Sequence, residues 1–113
     1  MYYAIKINTE KYDGPEPMNV SAASFYQKYS QIFLFEDKKT QTSFISMINE
    51  GFAAPRFTTV HKCDIISSMT HYATYIAHNK EIKCKDGKYF IEDKELDKNC
   101  PEYDFKYITF LKD

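Results

Sequence analysis

Three groups of side chains in this sequence have types and spacings that could do chemistry. The first is His71, Tyr75 and His78, at i, i+4 and i+7 of a helical repeat. On one helix they project from one face, and imidazole and phenol groups bind metals or relay protons. Residues seven apart stand about 10.5 Å from each other along a helix, too far for both imidazoles to reach one ion. The set therefore reads as a solvated polar face.

The second group is His61, Cys63 and Asp64, in the run HKCD. On a strand, His61 and Cys63 point the same way and come close. A Cys–His pair can activate a thiolate, and both residue types ligate zinc. Cys84 and Cys100 would complete a four-ligand set. Zinc ligands normally arrive in close pairs, however, and the 21- and 16-residue gaps between these cysteines contain none. The cysteines are therefore expected to be reduced packing residues, with no metal and no cofactor.

The third is Arg56, the only arginine, set in the segment Ala53-Ala54-Pro55-Arg56-Phe57. Arginine beside an aromatic residue on a loop suits a contact with another protein. Arg56 and Phe57 are the candidate partner-binding residues, with Lys38 and Lys39 supplying attraction to an acidic surface. The middle of the chain favours this placement, because Lys38, Lys39, Arg56, Lys62 and Lys80 outnumber Glu50 and Asp64 between residues 38 and 80.

Other machinery is missing from the sequence. The glycines are Gly14, Gly51 and Gly87, each at a turn or helix end, so no loop can cradle a phosphate. No serine-hydrolase elbow, HExxH or paired CxxC occurs, and no two acids fall at positions expected to be buried together.

The elements that must position these groups can be read from pattern. Tyr2 to Ile7 alternates as a strand, stopped by turn chemistry at Asp13-Gly14-Pro15. A short helix capped by Asn19 or Ser21 would carry Ala22, Phe25 and Tyr29 on one stripe. Ile32-Phe33-Leu34-Phe35 is an unbroken apolar run, expected to be a strand near 31–36 buried on both faces. Asp37 caps a helix through about Glu50, with Gln41, Phe44, Ile45 and Ile48 on its stripe and Gly51 as a left-handed stop.

Phe57 to Cys63 alternates and predicts a strand. Ile65, Met69, Tyr72 or Ala73, and Ile76 predict a helix over 65–78. Asp86-Gly87 predicts a two-residue type I′ hairpin pairing Lys85 with Lys88, Cys84 with Tyr89, Lys83 with Phe90 and Ile82 with Ile91. A polar connection follows, with a tight turn at Asp93-Lys94, and Tyr103 to Leu111 closes the chain as a strand. The reading is an α+β fold: an antiparallel or mixed sheet of five to six strands with two to three helices packed on it, in one domain over residues 1–113.

The chain has 113 residues, with 15 basic and 16 acidic side chains, 43% hydrophobic residues and 17% aromatics in the form of 10 Tyr and 9 Phe. That balance excludes a disordered tail and leaves enough apolar surface for a core. No run is long enough for a membrane span, and the start lacks the apolar stretch of a signal peptide, so no membrane is expected and the location is expected to be cytoplasmic.

With catalytic motifs absent, the leading expectation is a small binding protein that acts by contact with another protein. Its lysine- and tyrosine-rich character resembles small phage or mobile-element proteins that inhibit host machinery. The alternatives are a single-stranded nucleic-acid-binding module, with tyrosines stacking bases among Lys38, Lys39, Lys83, Lys85 and Lys88, and a small enzyme using its His and Cys residues. A homo-oligomer is compatible with each.

Overall fold

The structure is a computed structural model that describes residues 1–12 and 26–105. Its centre is the apolar run recognised in the sequence. Ile32, Phe33, Leu34 and Phe35 are all buried, because the strand that carries them, β2 (Tyr26–Phe35), is covered on both faces. Ile32 and Leu34 point to one side, and Phe33 and Phe35 to the other.

β2 pairs antiparallel with β1 (Tyr3–Tyr12) over ten residue pairs, from Tyr3 opposite Phe35 to Tyr12 opposite Tyr26. β1 is longer than expected from Tyr2–Ile7 because β2 supplies hydrogen-bonding partners well past Ile7. Tyr29 therefore lies on a strand and not on the expected helix. Asn19, Ser21, Ala22 and Phe25, like the turn at Asp13-Gly14-Pro15, fall outside the described residues.

The face bearing Ile5, Ile7, Phe33 and Phe35 is covered by two helices, α1 (Lys38–Ala53) and α2 (Thr59–Tyr72). Asp37 caps α1 as its sequence predicts, accepting the Lys39 N–H at 3.0 Å. The stripe is also as expected: Gln41, Phe44 and Ile48 are buried and Ile45 partly so. Gly51 is not a left-handed stop. It sits inside α1, which runs on to Ala53, and Ala54 closes the helix by donating its N–H to Gly51 O at 3.0 Å.

Two further expectations are corrected here. Phe57–Cys63 is not a strand. Thr58 Oγ1 accepts the His61 N–H, His61 Nδ1 accepts the Thr58 N–H, and this reciprocal box starts α2 at Thr59. The helix expected over 65–78 ends at Tyr72. Beyond it, β3 (Tyr75–His78) pairs antiparallel with the outer edge of β2, Leu34 opposite Tyr75 and Gln31 opposite His78. Pairing here satisfies N–H and C=O groups on the outer edge of β2 that the helices and β1 leave open, and it takes Ile76 and His78 off the helix.

The opposite face, with Ala4, Ile32, Leu34 and Ala77, is covered by a three-stranded antiparallel meander. Its strands are β4 (Lys83–Lys85), β5 (Lys88–Ile91) and β6 (Lys94–Leu96). The hairpin at Asp86-Gly87 has both turn residues at positive φ, 54° and 75°, and the pairs Lys83–Phe90, Cys84–Tyr89 and Lys85–Lys88 expected of a type I′ turn. Ile82 and Ile91 reach the core at its base, while Cys84 and Tyr89 stand exposed towards its tip.

The second turn is at Glu92-Asp93, one residue earlier than expected, with Glu92 at φ 55°. What reads as a polar connection is therefore β6, whose Leu96 is buried. The meander joins the main sheet through Tyr2, which donates to Glu95 O and accepts from the Asp97 N–H, both at 2.8 Å. β7 (Glu102–Phe105) then pairs parallel with β1 and completes a mixed sheet of order β3-β2-β1-β7. Residues 106–111 of the expected closing strand lie outside the described part.

The described residues thus form an α+β fold in three layers: two helices, a mixed four-stranded sheet and a three-stranded meander. No helix among them is long and apolar enough to cross a membrane.

Candidate functional site

The connection between α1 and α2 positions Arg56. Pro55 and Arg56 form a turn, Phe57 enters the core edge, and Thr58 restarts the chain as a helix. Phe57 folds back over Gly51, where an added Cβ would lie 2.6 Å from the ring's Cδ2 and nearer still to Cε2. The ring packs edge-on to Phe52 and Phe105, with centroids 5.1 and 6.1 Å away, and stacks on His61. Lys62 Nζ lies 5.9 Å from the centroids of both Phe57 and Phe105. Phe57 is therefore a half-buried wedge that sets the loop, and Arg56 beside it is exposed.

Around this wedge is a pocket of about 430 Å³ between the C-terminal end of α1 and the N-terminal half of α2. Met47, Ala54, Phe57 and Ile65 make its apolar lining, and Glu50, Arg56, His61 and Asp64 its polar rim. A shallow groove adjoins it along α1, lined by Lys38, Lys39, Thr42, Ser43, Ser46 and Met47. Met47 belongs to both and is 43% exposed. The four candidate residues Arg56, Phe57, Lys38 and Lys39 thus lie along one face of the helical layer, near its two ends. None of Lys38, Lys39, Glu50, Arg56 or Asp64 forms an ion pair with a described residue.

The other sequence-level constellations are taken apart. His61 and Cys63 stand two positions apart on α2, where side chains diverge, and both hydrogen bonds of the His61 ring go to Thr58 at the helix cap. Burial, then the neighbouring Asp64, pushes the Cys63 thiol up, the opposite of what a thiolate nucleophile needs. Cys63 packs on the helical side of the sheet, Cys100 on the meander side, and Cys84 is exposed on the hairpin. Among the described residues no three His, Cys, Asp or Glu side chains converge as a metal would require.

His71 lies in the last turn of α2, while Tyr75 and His78 lie three apart on β3 and face opposite ways. His78 Nδ1 instead hydrogen-bonds the Tyr29 hydroxyl on β2, and Tyr75 donates to Glu92 while Lys94 Nζ sits 4.2 Å from its ring centroid. The lysines grouped for a nucleic-acid surface are also separated. Lys38 and Lys39 begin α1 on one side of the main sheet, and Lys83, Lys85 and Lys88 stand on the meander that covers the other. No family model, curated protein or solved structure matches the chain.

The site that sequence reasoning missed is the pocket itself. Its signal was the spacing of Thr58 and His61, a capping-box spacing that would have turned the expected strand into a helix and brought Asp64 and Ile65 beside Glu50 and Arg56.

The cysteines give a chemical test of this arrangement. Cys84, expected to be a packing residue, is instead exposed, so a thiol reagent should label it first in native protein, then Cys63, with Cys100 last. Burial is the main cause that raises the Cys100 thiol from 9.0 to about 11, Lys6 opposing it and Glu102 adding to it. Below pH 9 folded and unfolded chains both keep this proton. Between about pH 9 and 11 only the unfolded chain loses it, so stability should fall by roughly 2–3 kcal/mol across that window. Denaturant melts at pH 8 and above pH 10 should show a smaller alkaline loss for Cys100→Ala than for wild type, and equal losses would refute the assignment.

Proposed function

We propose that this protein is a small binding module that acts by contact with another protein through its helical layer. The observation that carries this reading is the exposed Arg56, without an ion-pair partner among the described residues, on the rim of a pocket lined by Met47, Ala54, Phe57 and Ile65. An arginine beside an apolar recess, supported from beneath by packed aromatic rings, is the kind of rigid anchor that dominates protein interfaces. Lys38 and Lys39 extend the same face and would draw in an acidic surface. Inhibition of host machinery by a phage or mobile-element protein is one role such a module would serve.

Capture from the native host followed by mass spectrometry identifies the partner, and titration of that partner with Arg56→Ala tests the site. The variant should bind about 30-fold more weakly, a loss of about 2 kcal/mol, with an unchanged thermal midpoint. Lys38→Ala and Lys39→Ala should instead slow association, most at low salt. Binding by Arg56→Ala as tight as wild type would remove this loop from the interface. The hairpin surface around Tyr89, 38% exposed, would then be the next to test.

A further inference from the structure

The outward face of α1 carries its charges in an order that can complement itself. Lys39, Ser43, Ser46 and Glu50 fall on one line along the helix, directly opposite the buried Gln41, Phe44 and Ile48. The positive end holds Lys38 and Lys39. The negative end holds Glu50, with Asp64 of α2 on the same rim and Arg56 as the one opposing cation. None of these charges is spent on an ion pair with a described residue.

We infer that the occupant of this face is a second copy of the same chain, docked with its α1 antiparallel about a two-fold axis that lies between the two helices, level with the midpoint of Phe44 and Ile45. That axis sets Lys39 opposite Glu50 of the other copy, twice. It also sets Ser43 opposite Ser46, and it puts Met47 of both copies, the exposed apolar residue shared by groove and pocket, on the same flank of the contact. Small side chains at the crossing let two helices approach closely, and a two-fold contact needs only one self-complementary patch. One helix face with an edge of α2 is a small contact, so the dimer is a weak one that forms at high protein concentration. The inference rests on reading the helical layer as a protein-contact surface, and it adds self-association through α1 to that reading.

The test is charge reversal read by sedimentation velocity on the full chain. Wild type should show a concentration-dependent monomer–dimer equilibrium. Lys39→Glu places like charges opposite each other and should weaken self-association at least tenfold, and so should Glu50→Lys. Mixed one to one, the two variants restore both opposite pairs and should form a heterodimer of about wild-type strength. Both positions are exposed, so circular dichroism and thermal midpoints should match wild type and show that the variants are folded.

Wild type that stays monomeric at every concentration, reversals without effect, or a mixture that stays monomeric would each overturn the dimer. Those results would leave the protein-contact reading intact, because that reading stands or falls on the Arg56→Ala titration against a captured partner.

Discussion

Replacing Gln41 by Glu is expected to cost about 3–5 kcal/mol at neutral pH, as isolating a charge in a core does. Gln41 lies on α1, fully buried, and its Nε2 donates to Ala4 O at 2.9 Å and to Asn99 O at 2.8 Å. One amide thus ties the helical layer to β1 and to the segment between β6 and β7. A glutamate of the same shape has no N–H there. Ionised, it would aim negative oxygen at two carbonyls, and Gln41 Oε1 has no partner among the described residues, so none of them supplies a donor to compensate.

Protonated, it could donate to one of the two carbonyls. The folded-state pKa of the new carboxyl should therefore rise above the unfolded value of about 4.3, so the variant is closest to wild type near pH 4 and loses stability as pH rises through the raised pKa. Denaturant melts at pH 4 and 7 check this. A Gln41→Glu protein within about 1 kcal/mol of wild type at pH 7 would mean that the amide does not hold these layers together.

The second large effect concerns Gly51 and Phe57. In an exposed helix, Gly→Ala gains about 1 kcal/mol. Here the new methyl would collide with the Phe57 ring, which Phe52, Phe105 and His61 hold from other sides. Gly51→Ala should therefore destabilise by about 1–3 kcal/mol. Phe57→Ala should cost about 2–4 kcal/mol, because it opens a cavity beside Phe105. Combined, the two should cost less than their sum by about 1–3 kcal/mol, since the alanine methyl occupies space the ring has left. Additive losses would show that the ring does not rest on Gly51. The same cycle bears on function: Phe57 shapes the pocket from below, so its loss mixes folding with binding, whereas Arg56→Ala probes the surface alone.

Features decided by neighbours in the chain were legible in the sequence. The Asp86-Gly87 hairpin needs only two residues that tolerate positive φ and the alternation on either side of them. The cap at Asp37 and the stripe Gln41, Phe44, Ile45, Ile48 need only helical spacing, and Ile32–Phe35 announces burial on both faces by its lack of alternation. Arg56 stood out by its rarity and by Pro55 and Phe57 beside it.

Features decided by partners distant in the chain were not legible. Ile76 continues the helical stripe of Ile65 and Met69, yet the open edge of β2 claims Tyr75–His78 as a strand, and with it His78. Gly51 looks like a helix stop, but the ring of Phe57 requires it inside the helix. Thr59–Cys63 has β-branched residues and alternation, and the reciprocal bonds of Thr58 and His61 make it helical instead. The sequence by itself therefore determined the α+β class, the hairpin, the first helix and the exposed arginine. Tertiary structure alone decided the second helix, the strand carrying His78, the separation of the cysteines and the pocket beside Arg56, because long-range hydrogen-bond partners and packed rings outweigh local propensities of a fraction of a kcal/mol per residue.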